Sequence, residues 1–291
     1  MSVIAVRWVV DTAMRNYRDL SRIFSTSYVE SLAHGNVEHV LEVSRAYLDF
    51  LPREFTPADV YEVCYKDLGR NYRFEYFFKN VVANKVVLGR HKLSTATLIS
   101  EFRVENNKAD CVILNGNSTC YEIKTDLDNF SRLNDQLSAY EKLFDRTYVV
   151  IAEAHREYAL KNIQDSVGLI VLTARDTLSE VRSARLVRNK IDPKVLIRSL
   201  RQPEYFSMAC QIEKAPFGLS NTDIFSWCES VFLKADADLL RSIFCKTLKE
   251  TRRLSREFSL ALPRTLLMAS LSVKLSHAKK NNLLRVLNSP I

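Results

Sequence analysis

The sequence predicts an α/β protein with helical additions at both ends. The spacing of apolar residues changes from a period of 3.6 to a period of 2 between residues 96 and 124. Two short, almost wholly apolar segments follow, YVVIA at 148–152 and VGLIVL at 167–172, separated by a helix-length stretch that starts at His155. That alternation of strand and helix signals defines the class. Hydrophobic residues make up 47% of the 291, enough for a packed core, and only 6 Gly and 7 Pro argue against long disordered tracts.

Taken in order, residues 1–60 read as mostly helical, with an interruption at Gly35 and Asn36. Thr56, Pro57 and Asp59 make a helix start: a capping hydroxyl, a proline at the first helical position, an acid in the first turn. That helix should stop near Gly69, and a second should run from Tyr72 to about Val87, ending at Gly89. Its aromatic group, Tyr72, Phe74, Tyr76, Phe77 and Phe78, reads as core rather than as a base-stacking platform. Strands are expected at 97–104, 109–114 and 118–124, the last two joined around Asn115-Gly116-Asn117. A helix over 130–144, capped from 126–129, should precede the two apolar strands. Beyond residue 178 a basic run, Arg182, Arg185, Arg188, Lys190, Lys194, Arg198 and Arg201, leads into helices started by Thr222, by Asp236 or Asp238, and by Pro263. The organisation expected is therefore a helical region over 1–90, a core over 91–178, and a basic, mostly helical region over 179–291.

The six cysteines form no C-x-x-C pair and none has a histidine at zinc-ligand spacing, so reduced, buried thiols are expected. A net charge of +8 and a pI of about 9.1 favour a polyanionic partner. No apolar run reaches the ~18 residues of a membrane span. The first residues lack the charged start and small-residue cleavage site of a signal peptide, so a cytoplasmic location is expected.

The chemistry is concentrated between Glu101 and Tyr140. Glu122 and Lys124 share one strand face, because side chains alternate. Asp110 joins them if Leu114 pairs with Ser118 across a three-residue turn; a two-residue turn would put Glu122 on the face opposite Asp110. The sequence allows the first register and does not force it. Two carboxylates side by side call for a cation, and Mg²⁺ or Mn²⁺ suits a pair of acids with water and a phosphate. Lys124 would serve the attacking water or offset charge on phosphorus. On the next helix Arg132, Gln136 and Tyr140 lie at i, i+4 and i+8, one face.

The pattern Asp110…Glu122-Ile123-Lys124…Gln136-x-x-x-Tyr140 resembles the PD-(D/E)XK nuclease superfamily. The longer string from Glu122 to Val150 looks like a small bacterial branch of it. The likeness covers about residues 95–175, and the superfamily's proline before the Asp is Ala109 here. The resemblance implies a restriction-endonuclease-like core of helix, three strands, helix and strand. It makes Asp110 and Glu122 ligands of Mg²⁺ or Mn²⁺ and Lys124 the catalytic lysine, with Gln136, Tyr140 and a further acid assisting. Glu101 is the preferred further acid and Glu75 the alternative. The expected function is a metal-dependent nuclease acting on DNA, in a phage-defence or mobile-element setting. Nucleic acid would be its partner, along with a companion protein or a second copy, and no membrane. Arg132, Arg182, Arg185, Arg188 and Lys190 are the expected nucleic-acid contacts. The alternatives are an inactive binding module of the same fold, or an RNase. His155 reads as a surface histidine.

Overall fold

The structure, a computed structural model, describes residues 16–85, 96–187, 191–252 and 255–291. The first helices are α1 (Tyr17–Ser21), α2 (Thr26–Ala33), α3 (Glu38–Ser44), α4 (Pro57–Asn71) and α5 (Glu75–Val82). Three strands follow, β1 (Thr97–Val104), β2 (Asn107–Asn115) and β3 (Asn117–Lys124). Next come α6 (Leu133–Glu141), β4 (Arg146–Ala152), α7 (Arg156–Asn162), β5 (Gly168–Leu172) and β6 (Leu178–Arg182). The remainder is helical: α8 (Pro193–Ser199), α9 (Gln202–Ile212), α10 (Ile224–Lys234), α11 (Ala237–Thr251), α12 (Arg256–Ala261), α13 (Leu267–Ser272) and α14 (His277–Leu287). Among the described residues no helix is long and apolar enough to cross a membrane.

The chain divides into two compact units, residues 1–80 with 257–291, and residues 81–256. These differ from the three consecutive regions expected from composition. Helices α8 to α11 share one core with the sheet, whereas the last helices share a core with the first ones. Which apolar faces pair is decided by three-dimensional burial, to which neighbours in sequence give no guide.

In the first unit, α4 starts as its sequence requires: Thr56 and Asp59 form a reciprocal capping box with Pro57 in the first turn. The helix continues two residues past Gly69. Ile23, Phe24, Tyr47, Tyr61, Cys64 and Leu68 pack with Leu266, Leu283 and Leu287. Buried phenols need partners, and they have them: Tyr61 Oη donates to the Ile23 carbonyl at 3.1 Å and Tyr47 Oη to Asp67 at 3.0 Å. The C-terminus is tied in by the Ile291 amide, 3.0 Å from the Phe55 carbonyl. The aromatic group after α4 is core: Phe77 and Phe78 are buried, and Phe24 packs against Phe74 and Tyr76. The expected helix end at Val87 and Gly89 lies outside the described residues.

The second unit is the α/β part. Among its described residues the sheet has six strands in the order β1-β2-β3-β4-β5-β6. β1, β2 and β3 form an antiparallel meander. β4 and β5 are added in parallel, with α6 and α7 as their crossovers, and β6 returns antiparallel. One face of the sheet is covered by α6 (Leu133, Leu137, Tyr140), α8 (Val195, Leu196, Ile197) and α11 (Leu240, Phe244, Leu248). Phe102 sits at the centre, edge-on to Phe144 and Phe244. Gly168 has no room for a side chain: a Cβ there would meet the Tyr148 ring at 2.3 Å.

Strand β6, LSEVR, was not expected; it falls where the basic run begins, and its half-exposed pattern is too weak to stand out. Helix α6 starts at Leu133 instead of 130. The reason is local: Asp128 turns back to accept from the Thr125 amide and hydroxyl, both at 2.8 Å, closing a turn before the helix can begin. Asp223 rather than Thr222 stands at the start of α10, and Asp236 caps α11 through two backbone amides. Pro263 leads into one 3-10 turn before α13. Cys64, Cys111, Cys120, Cys228 and Cys245 are buried free thiols, as expected, and Cys210 is exposed.

Candidate functional site

The hairpin of β2 and β3 sets the geometry. Leu114 pairs with Ser118 and Asn115 with Asn117, leaving Gly116 at the tip with φ of +75°. A left-handed tip residue suits glycine, which has no Cβ to clash. This is the register that sets Asp110 across from Glu122. The paired ladder ends at Cys111 and Tyr121. Beyond it Asp110 leans across, and its Oδ2 accepts from the Ile123 amide at 2.8 Å.

Glu122 points into the layer between the sheet and α6. It is 2% exposed. Its Oε1 takes a hydrogen bond from Lys124 Nζ at 3.1 Å, and its Oε2 takes one from Tyr140 Oη at 3.0 Å. Lys124 Nζ also donates to Gln136 Oε1 at 3.0 Å. Gln136 and Tyr140 are one helical turn apart, so α6 meets Lys124 with one side chain and Glu122 with the next. Burial, then the Asp110 charge, pushes the Glu122 carboxyl from 4.5 to about 7, against the opposing pull of Lys124 and Tyr140. Burial and the Glu122 charge together push the Tyr140 phenol well up, so it remains a donor.

Glu101 approaches from the other side. Its neighbours Ser100 and Phe102 pair with Cys111 and Ala109, so Glu101 stands opposite Asp110 at a break in the ladder. Its φ is +54°, a left-handed conformation that costs an L-residue roughly 1–2 kcal/mol. The kink interrupts the alternation of β1: Ile99 faces the core before it, Phe102 and Val104 after it. It brings the Glu101 and Asp110 carboxylates within 4.8 Å of each other. Lys108 lies 3.8 Å from Glu101. Glu75, the other candidate acid, stands in the first turn of α5 and pairs with Lys79 at 2.5 Å.

The outer residues are less uniform. Arg132 is exposed just ahead of α6. Arg182 does not offer its charge outward. Its guanidinium donates to the Val167, Ile163 and Gln164 carbonyls at 2.9–3.0 Å and to Asp165 at 3.3 Å, which fastens β6 to the turn before β5. A strand residue beside a carbonyl-rich turn is used to close that turn, a role invisible while 182–201 is read as one basic run. Arg185 is exposed; Arg188 and Lys190 lie outside the described residues. His155 is half-buried, with Nε2 3.0 Å from the Thr125 carbonyl and its ring against Phe130. It secures the chain just after Lys124, a role the sequence signalled only through its place after an apolar strand.

The family model of bacteriophage P4 protein cII matches residues 69–273, most of the chain. The chain belongs to this family. The match takes in the whole sheet, and so all the residues of the network around Glu122. Protein cII of Enterobacteria phage P4 is 35% identical over 80 residues, 27% of this chain and 30% of that protein. The similarity thus spans under a third of the phage protein's length. A protein of unknown function from Silicibacter pomeroyi superposes over 49% of this chain and 93% of its own, with a TM-score of 0.32 and 18% identity.

In this cII-family chain the raised Glu122 carboxyl gives a direct test for a cation. With a folded pKa near 7, Glu122 is mostly protonated at about pH 6 and mostly ionised at about pH 8. In the protein alone, the group's stabilising contribution is full below 4.5 and is lost as pH rises through about 7, since the folded state holds the proton more tightly. A divalent cation held by these carboxylates would work in the opposite sense, because it would have to displace that proton below pH 7. Mn²⁺ or Mg²⁺ should therefore raise the melting temperature more at pH 8, with apparent affinity roughly tenfold tighter than at pH 6. Asp110→Asn should remove the cation's effect. A thermal shift that is flat with pH, or intact in the variant, would show that no cation binds at these carboxylates.

Proposed function

We propose that the sheet unit is a metal-dependent nuclease that hydrolyses phosphodiester bonds, with DNA as its substrate. The observation that carries the reading is the Lys124 ammonium held between the Glu122 carboxylate and the Gln136 carboxamide, one strand away from Asp110. Support comes also from the motif likeness to PD-(D/E)XK nucleases. The meander of three strands, the crossover helix and the parallel strand are in the order that a restriction-endonuclease-like core requires.

The residues suit a hard divalent cation. Burial first, and then repulsion from Asp110, raise the Glu122 carboxyl, and Glu101 adds a third carboxylate beside Asp110. A cation relieves that repulsion. Asp110 and Glu122 would hold Mg²⁺ or Mn²⁺, with Glu101 assisting. When bound, the cation supplies Lewis-acid polarisation of a phosphoryl oxygen and a lower pKa for water. The chain's own groups do the rest. Tyr140 Oη fixes the orientation of Glu122, and Gln136 fixes Lys124. The Lys124 ammonium then faces the acids, where it offsets the negative charge that builds on the reacting phosphate. The phage origin of this relative supports a mobile-element or phage-defence setting; a companion protein or a second copy as partner is part of the same proposal.

One observation favours a second reading, an inactive binding module of the same fold: both Glu122 oxygens already have partners within the chain, Lys124 and Tyr140. Cleavage assays decide. Purified protein should nick or degrade DNA with Mg²⁺ or Mn²⁺ and stop when EDTA is added. Cleavage of RNA alone would make it an RNase. No cleavage of duplex DNA, single-stranded DNA or RNA under any of these conditions would leave only the binding module.

A further inference from the structure

Helix α8 carries a solvated basic face. Asp192 caps the helix by accepting from the Lys194 and Val195 amides at 2.8 and 3.2 Å. Val195, Leu196 and Ile197 are buried on the sheet core. Lys194 and Arg198, one turn apart, are exposed on the opposite side, and Arg201 just beyond the helix is exposed too. Among the described residues none of the three forms an ion pair. Of the acids near them in sequence, Asp192 caps the helix, and Glu204 forms a two-pronged pair with Arg252 at 2.7 and 2.8 Å, with the Arg201 charge acting on it as well. Lys194 and Arg198, solvated and in no ion pair among the described residues, keep their charge available for a polyanion, and Arg201 extends the row.

The face also has a direction. At its start the Asp192 amide donates to the Lys142 carbonyl at 2.8 Å, at the end of α6 farther along the chain from Gln136. At its finish the Arg201 amide donates to Glu204 at 2.8 Å. Arg252, which clamps Glu204, lies 4.9 Å over the Phe102 ring. Phe102 follows Glu101, whose carboxylate is beside that of Asp110. The row from Lys194 through Arg198 to Arg201 therefore runs toward the part of β1 that carries the acids.

The geometry points to a phosphate-backbone track: Lys194, Arg198 and Arg201 hold a nucleic-acid strand and lead it to the Glu101–Asp110 acids. The destination rests on the nuclease reading; the binding itself does not. The partner is nucleic acid, because a row of separate point charges on a solvated face fits a backbone of repeating phosphates.

The test uses the full chain in EDTA, so that no cleavage occurs, with a labelled duplex of about 30 base pairs and salt from about 50 to 200 mM. Fluorescence anisotropy compares the wild type with the triple variant Lys194→Gln, Arg198→Gln, Arg201→Gln. The control removes the same charge from other exposed positions of the unit, Lys214→Gln, Lys234→Gln and Lys246→Gln. Losing three phosphate contacts should flatten the slope of log K against log salt by about 2–3 and weaken binding roughly tenfold or more at the lowest salt. The control should keep the wild-type slope, and all three proteins should melt together. Equal slopes in wild type and track variant, an equal loss in the control, or a wild type that binds no duplex, single strand or RNA would each overturn the proposal. A wild type that binds through the track and yet cuts nothing with Mg²⁺ would sink the nuclease reading and leave the track standing.

Discussion

Lys124→Met should lower the proposed metal-dependent cleavage by about 10²–10⁴-fold, the range for a positioned proton-transfer or charge-offsetting group. The substitution keeps the apolar stem and removes only the ammonium. In the wild type that ammonium is fixed: its side chain is 12% exposed and it bonds to Glu122 and Gln136. Without it Glu122 loses the largest influence holding its carboxyl down, so the group titrates still higher and carries less charge near neutral pH. The loss should therefore fall on turnover and should be partly offset at higher pH, where Glu122 ionises again. Gln136→Ala should cost less, since Lys124 keeps Glu122 as an anchor. Single-turnover cleavage across pH, with circular dichroism to confirm folding, reads both effects. Cleavage within a few-fold of wild type in the folded Lys124→Met protein would remove the lysine from the chemistry.

The largest expected effect on stability is at the other end of β4. Asp145 is buried and accepts from the Ser118 amide at 2.7 Å and the Ser118 hydroxyl at 2.9 Å. It also pairs with Arg241 on α11, itself only 6% exposed. One carboxylate thus ties the start of β3, the start of β4 and a helix of the covering layer. Asp145→Ala should destabilise the protein by about 3–5 kcal/mol, because it strands a buried guanidinium as well as two donors. The further change Arg241→Leu in the same background should recover part of that loss, since the stranded charge goes with it. Urea unfolding measures both. A single variant within about 1 kcal/mol of wild type would show the pair to be dispensable.

Neither residue of that pair stands out in the sequence. Asp145 sits between Phe144 and Arg146 and reads as a loop acid, and Arg241 lies on an amphipathic helix nearly a hundred residues later. Their pairing follows from the packing of α11 on the sheet, a long-range event. The hairpin is the contrary case. Asn115-Gly116-Asn117 between two alternating runs specifies a tight turn, and leaves only the choice between a two-residue and a three-residue closure to the folded sheet. The i, i+4 spacing of Gln136 and Tyr140 is equally local. Arg182 shows the limit: its charge was legible and its use was not, because three carbonyls of the turn before β5 meet it only once β6 has paired.

By itself the sequence determined the α/β class, the capped start of α4 and the tight turn of the hairpin, through periodicity and turn chemistry within a few residues; it was the motif likeness that grouped Asp110 with Glu122, Lys124, Gln136 and Tyr140. The tertiary structure decided which register the hairpin took and that the last helices join the first. It also decided that Glu101 turns left-handed to bring its carboxylate beside Asp110. Those choices depend on the burial of apolar faces far apart in the chain, and on the charges that burial forces together. Local sequence carries no record of that energy.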